Sequence, residues 1–155
     1  ISALGDLDEL NCILGLSSNF VKNKEIRKSL ATLQNLIFNI GAEIAIGELS
    51  SQRTFRRLRV ADVLNLEKGI DGIEKQLSPL RTFILPGGSK GASCLHLARA
   101  VCRRGERSIV ELYNSGRIKN KTILPFMNRL SDFLFVLARV ENKRAKKPDV
   151  LWNKN

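Results

Sequence analysis

Apolar residues recur at steps of three and four through five stretches of this chain, and that spacing predicts five helices. The first runs from about Asp6 to Val21, with Leu7, Leu10, Leu14 and Ser17 in one stripe and Asp6, Asp8 and Glu9 placed to suit a helix's positive end. The second covers Lys24 to Ile46 through Ile26, Leu30, Leu33, Ile37, Ile40 and Ile44. A third spans Val60 to Leu77 and closes at Ser78-Pro79, because the residue before a proline avoids the helical region. The fourth follows Pro86, Gly87 and Gly88, takes Ser89 as its N-cap and ends at Asn114-Ser115-Gly116. The fifth extends from about Thr122 to Asn142, with Met127, Leu130, Leu134, Leu137 and Glu141 in register. Residues 47–59, with Gly, Ser and four arginines, read as a basic loop. No stretch alternates as a strand does, and Val150, Leu151 and Trp152 read as a short anchor at the end of a charged tail. Short connections between helices give an all-α fold, a five-helix up-down bundle, in a single domain over residues 1–155.

Composition narrows the chemistry without changing the fold. With 43% apolar residues and four prolines in 155 residues, the chain is long and apolar enough to bury a core and is not of the disordered class. A net charge of +11, from 26 Lys and Arg against 15 Asp and Glu, favours acidic partners: nucleic acid, anionic lipid or a phosphorylated substrate. Cys12, Cys94 and Cys102 form no CxxC pair, which argues against a disulfide framework or zinc site and for a reducing compartment. Cys102 falls on an apolar seam, where a thiol is by default a small buried hydrophobe. No uninterrupted apolar run approaches the ~18 residues of a membrane span, so no membrane partner is expected, and Ile1 does not open a signal peptide.

The candidate chemistry gathers on the fourth helix. Steps of three, four and three residues keep His96, Arg99, Arg103 and Glu106 within an arc of roughly 80°. Beside them Leu95, Ala98, Cys102, Gly105, Ile109 and Leu112 form an apolar seam. A charged stripe on a helix is often no more than solvated surface. Four guanidinium groups, on Arg99, Arg103, Arg104 and Arg107, with only Glu106 near in sequence to balance them, also suit a polyanion such as a triphosphate. On the fifth helix Asn128 and Asp132 lie four apart beside the Met127 seam, where they serve either helix-to-helix hydrogen bonding or a ligand. Read alone, Phe83 is a core phenylalanine at a turn.

GDLDELNCILGL at 5–16, FILPGG at 83–88, LHLARAVCRRGER at 95–107, FMNRLSDFLFVLAR at 126–139 and DVLW at 149–152, in that order, resemble the PduO-type ATP:cob(I)alamin adenosyltransferases over nearly the whole chain. The resemblance implies a homotrimer of five-helix bundles, with sites at subunit interfaces for ATP, its magnesium and cobalamin. It implies transfer of the 5′-deoxyadenosyl group of ATP to the cobalt of cob(I)alamin, with triphosphate leaving. Cobalt is then the nucleophile, and the protein needs no Ser or Cys nucleophile and no general base. By the same resemblance Arg103, Arg104, Glu106, Arg107 and Asn128 bind the nucleotide, with Glu106 near the phosphates or their metal. Asp8 and Arg99 form a pair joining two subunits at the cobalamin side, and Phe83 presses under the corrin ring and displaces the lower axial ligand. Asp132 supports the site or pairs with an arginine across helices, and His96 is a structural residue and not a cobalt ligand.

Two features depart from the family pattern. The TRTGDxG-type loop that wraps the ATP phosphates in the family is absent from this chain, which starts at Ile1 just before GDLDEL. Gly105 stands where CRRAER has alanine, weakening the helix but allowing close packing at the seam. A catalytically impaired relative that binds or delivers cobalamin is therefore the second reading. A basic nucleic-acid-binding module, built on RTFRRLR at 53–59, CRRGER and KRAKK at 143–147, is the weaker rival: its charges are scattered, and one Tyr and one Trp offer little base stacking, so no nucleic acid is expected. The resemblance places the protein inside cells, in a bacterial cytoplasm or a mitochondrial matrix, with a cobalamin reductase or an adenosylcobalamin-dependent enzyme as further partners.

Overall fold

The computed structural model describes residues 2–46 and 55–155. These form five helices, α1 (Ser2–Phe20), α2 (Lys24–Ile46), α3 (Val60–Glu74), α4 (Lys90–Asn114) and α5 (Ile123–Arg144), and two short strands, β1 (Ile84–Leu85) and β2 (Val150–Leu151). Across the bundle α4 lies between α1 and α5, α2 packs on the far side of α1, and α3 packs on the far side of α5. Among the described residues α2 and α3 share no extensive contact, although they are consecutive helices.

Each helix forms where its apolar stripe has a partner. Leu7, Leu10 and Leu14 of α1 are buried against the core together with Leu30, Leu33, Ile37 and Ile40 of α2. Asn23 caps α2, its Oδ1 accepting the Ile26 N–H at 3.0 Å. By length and a mean hydropathy of 1.2, α2 reaches the range of a membrane-spanning helix, but its apolar residues follow one face and it carries Lys24, Glu25, Arg27, Lys28 and Glu43. It reads as an amphipathic bundle helix. The segment leading into α3 is tied down by ions: Arg56 makes a two-pronged pair with Asp62 at 2.9 Å, and Asp62 also accepts the Arg59 N–H at 2.8 Å. Arg57 Nε stands 3.5 Å from the buried Glu43 carboxylate, which also accepts from Asn120. Of the basic loop at 47–59, residues 47–54 lie outside the described residues, and two of the arginines beyond them are spent on these internal pairs.

Three boundaries differ from the sequence expectation. Helix α1 already runs from Ser2, so Asp6, Asp8 and Glu9 lie beyond its first turn and do not serve its positive end. Helix α3 ends at Glu74, and Gln76 and Leu77 continue it only through turn bonds. The anchor at Val150 and Leu151 is a strand, antiparallel to β1 with Ile84 opposite Leu151 and Leu85 opposite Val150.

Gly105 is not required by packing. A Cβ there would sit 3.6 Å from Asp6 Cβ and Met127 Cε, ordinary contact distances, so the expected close approach at the seam is absent. Gly105→Ala therefore removes backbone freedom from the unfolded chain without a clash and should stabilise by about 1 kcal/mol, raising the melting temperature by about 2–4 °C. Thermal unfolding followed by circular dichroism tests this, and a lower midpoint would show that the helix pair has no room for the methyl.

Candidate active site

Ser89 caps α4, its Oγ accepting the Ala92 N–H at 3.1 Å. From there Leu95, Ala98, Cys102 and Ile109 are wholly buried, and the neighbouring edge carries Arg99, Arg103 and Glu106. Burial pushes the Cys102 thiol well above its ordinary pKa, and its Sγ donates to Met127 O at 3.4 Å, so it is an inert packing group. His96 does not belong to the charged edge. It is 2% exposed, its ring stands edge-on to Phe135 at 6.0 Å, and neither ring nitrogen has a hydrogen-bond partner among the described residues. Burial, with the nearby Arg99 cation, lowers its pKa and keeps the imidazole neutral.

The residues assigned to the nucleotide divide into two groups. Glu106 Oε1 accepts from Asn128 Nδ2 at 3.1 Å, and Asn128 Oδ1 accepts from Arg129 at 2.7 Å. Arg103 and Arg107 are exposed on the same edge, joined by a 3.3 Å bond from Arg107 Nη1 to Arg103 O. Among the described residues neither makes an ion pair. Arg104 points elsewhere: its Nε donates to Asp6 Oδ1 at 2.8 Å, and its Nη2 bonds Glu9, also on α1. The four-arginine cluster is thus reduced to three, because α1 supplies acids that proximity in sequence did not reveal. Among the described residues Asp132 forms no pair across helices; it binds Arg129, one turn away on α5, at 3.2 Å.

A second feature opens on the other side of Arg99. Leu80, Thr82, Phe83, Arg99 and Phe135 line a hollow of about 550 Å³. Phe83 is no core residue: it is 77% exposed, with its ring edge-on to Trp152 at 6.0 Å. The Arg99 guanidinium lies 6.0 Å over the Phe135 ring, its Nε is buried without a partner, and burial together with Arg103 lowers its pKa. Asp8 is exposed on α1 beside a separate hollow of about 240 Å³ lined by Leu4, Leu7, Asn11 and Phe38. Asp8 and Arg99 do not pair within the chain, and among the described residues neither has another ionic partner. Two contributors to this region, Phe135 and Trp152, had no assigned site role in the sequence reading, although each lies within one of the family motifs and Trp152 was expected only as part of a terminal anchor.

The sequence profile of the family described as cobalamin adenosyltransferase matches residues 1–141. The chain belongs to that family. It is 39% identical over 155 residues to a cobalamin adenosyltransferase of Cupriavidus metallidurans, covering 99% of this chain and 80% of that one. It is 37% identical over 159 residues to a corrinoid adenosyltransferase of Bacillus subtilis, covering 100% and 80%, and 35% identical over 162 residues to the bovine corrinoid adenosyltransferase MMAB, covering 99% and 65%. The fold superposes at a TM-score of 0.90 and 33% identity on a variant PduO-type ATP:corrinoid adenosyltransferase of Lactobacillus reuteri complexed with cobalamin and ATP, covering 99% of this chain and 83% of that one. A second variant of that enzyme, complexed with ATP, gives 0.88 at 33% identity, covering 98% and 85%.

Within this adenosyltransferase fold, no cluster of three or more His, Cys, Asp or Glu side chains among the described residues is arranged to hold a metal. A single carboxylate such as Glu106 fits magnesium that arrives on phosphates, since that ion keeps most of its water and takes one or two protein carboxylates.

The Ser108 hydroxyl, which donates to Asp6 Oδ2 at 2.6 Å, and then Arg104 hold the Asp6 carboxyl below the usual aspartate range. A depressed folded-state pKa stabilises the protein above the unfolded pKa, and that contribution is lost as pH falls through the folded value. Asp6→Asn should therefore be less stable than the parent at neutral pH, and the gap should shrink as acid is added below the ordinary aspartate range. Urea titrations over a pH series test this; a gap independent of pH would remove the ion pair from the account of the α1–α4 contact.

Proposed function

We propose that this chain transfers the 5′-deoxyadenosyl group of ATP to the cobalt of cob(I)alamin, releasing triphosphate, as a homotrimer whose sites lie between subunits. The observation that carries this reading is Arg99. It is a partly buried cation with no anionic partner among the described residues of its own chain, in the wall of the hollow that also holds an exposed phenylalanine, and one turn from Arg103 on the same helix. An uncompensated charge in such a place is costly unless another chain or a ligand answers it. Asp8, exposed and equally unpaired on α1, is the carboxylate to do so from a neighbouring subunit. The named relatives and the two solved complexes support the same substrates.

The reaction breaks the bond between C5′ and the triphosphate oxygen and forms a bond between C5′ and cobalt, whose electron pair attacks. No proton moves, so no general base is needed. The chain must hold C5′ against cobalt and stabilise the charge growing on the leaving group. Arg103 and Arg107 are the free cations for that charge, and Glu106, held by Asn128, is the carboxylate for the magnesium of the nucleotide. Arg104, bound to Asp6 and Glu9, fixes α1 against α4 and so orients Asp8. Phe83, exposed at the hollow beside Arg99, is the residue assigned to cover the lower face of the corrin ring.

Arg103→Ala should lower kcat/KM by about 100-fold through lost leaving-group stabilisation, whereas Phe83→Ala should spare the KM for ATP and depress turnover. The conversion of cob(I)alamin to adenosylcobalamin, followed by absorbance under reducing conditions, tests both; normal turnover by both variants would remove the residue assignments. The subunit boundary has its own test. Asp8→Ala and Arg99→Ala should each be weak alone, but an equal mixture refolded together should recover up to about a quarter of the parental rate, since one in four interfaces then has both residues. No recovery in confirmed mixed oligomers would place the two residues in separate roles.

A further inference from the structure

Polar side chains at the end of α5 hold two separate pieces of chain together. Asn142 is 1% exposed; its Oδ1 accepts the Ser89 N–H at 2.9 Å, and its Nδ2 donates to Gly87 O at 3.0 Å and Asp149 Oδ1 at 3.3 Å. Arg139, 9% exposed, donates from Nε to Asp149 Oδ2 at 3.0 Å and from Nη2 to Ser78 O at 2.8 Å. Asp149 immediately precedes β2, and the Trp152 N–H donates to Phe83 O at 2.9 Å. The Phe83 segment is thus held before it at Ser78, behind it at Gly87 and Ser89, and alongside by β2. A ladder of two residue pairs is too short to sustain itself. The backbone yields to this arrangement as well: Gly88 has φ +109°, and a Cβ there would fall 2.1 Å from Asn142 Oδ1.

We propose that Asn142 and the Arg139–Asp149 pair are positioning residues for the cobalamin side of the site, locking residues 78–89 and 149–152 into one unit and so setting how far the Phe83 ring stands into the hollow beside Arg99. The inference rests on the adenosyltransferase reading for its substrate, but the unit itself is open to a separate measurement. Trp152 is the chain's single tryptophan, so intrinsic fluorescence reports on this unit without any ligand.

Asn142→Ala should shift Trp152 emission to the red as the segment comes loose. It should raise the KM for cobalamin about tenfold, leave the KM for ATP within about twofold, and reduce several-fold the four-coordinate cob(II)alamin formed in the presence of ATP. Asp149→Asn, at the more exposed end of the network, should move the same readouts in the same direction, and it carries the test should the buried substitution prevent folding. Unchanged emission, or a uniform loss of rate that follows only the folded fraction with both KM values intact, would overturn the proposal. An inactive parent whose variants still shift emission would sink the enzymatic reading and leave the unit standing; an active parent whose variants do not shift it would sink the unit alone.

Discussion

The burial of one seam of α4 between α1 and α5 is the constraint from which the rest follows. Leu95, Ala98, Cys102 and Ile109 have no exposed surface, and the neighbouring helices meet them from both sides. Turning α4 by even one residue step, about 100°, would carry a guanidinium into the core, where an unpaired charge costs several kcal/mol. The helix is therefore fixed in rotation, and with it the edge carrying Arg99, Arg103 and Glu106. Packing thus fixes the orientation of the proposed site.

The charge pattern becomes informative only after subtraction. Arg56 is answered by Asp62, Arg57 by Glu43, Arg104 by Asp6 and Glu9, Arg129 by Asp132 and Arg139 by Asp149. All but the Arg129–Asp132 pair, which lies within α5, tie separate parts of the chain together, and of the four arginines on α4 they leave Arg99, Arg103 and Arg107 without a salt bridge among the described residues. A net charge of +11 names no partner; three cations without salt bridges on one helix edge describe a polyanion's seat far more closely.

What was legible in the sequence was whatever depends on local periodicity. The bounds of α2, the Ser89 cap and the α4 seam were readable because spacing and capping chemistry act within a few residues. Long-range partners were not. Arg104 looked like its neighbours until α1 was placed against it, His96 shared a stripe with arginines yet lies under Phe135, and Asp132 closed on its own helix. The β1–β2 ladder is too short to show an alternation at all. Motif resemblance supplied the site assignments that periodicity could not; the structure sets Phe83 and Arg99 at one hollow, Asp8 at another, and turns Arg104 away toward α1.

Gly88 and Asn142 also meet across the fold. The left-handed backbone at one position and the carboxamide filling the adjoining space at the other are 54 residues apart in sequence yet leave no room for a Cβ at 88. A side chain at 88 would need a vacated place at 142, yet a smaller residue at 142 would not release the demand for glycine, because φ +109° strains any other residue whatever the space. The dependence therefore runs one way: the backbone holds glycine at 88 regardless of its neighbour, and the loop bearing the exposed aromatic can evolve only around that fixed point.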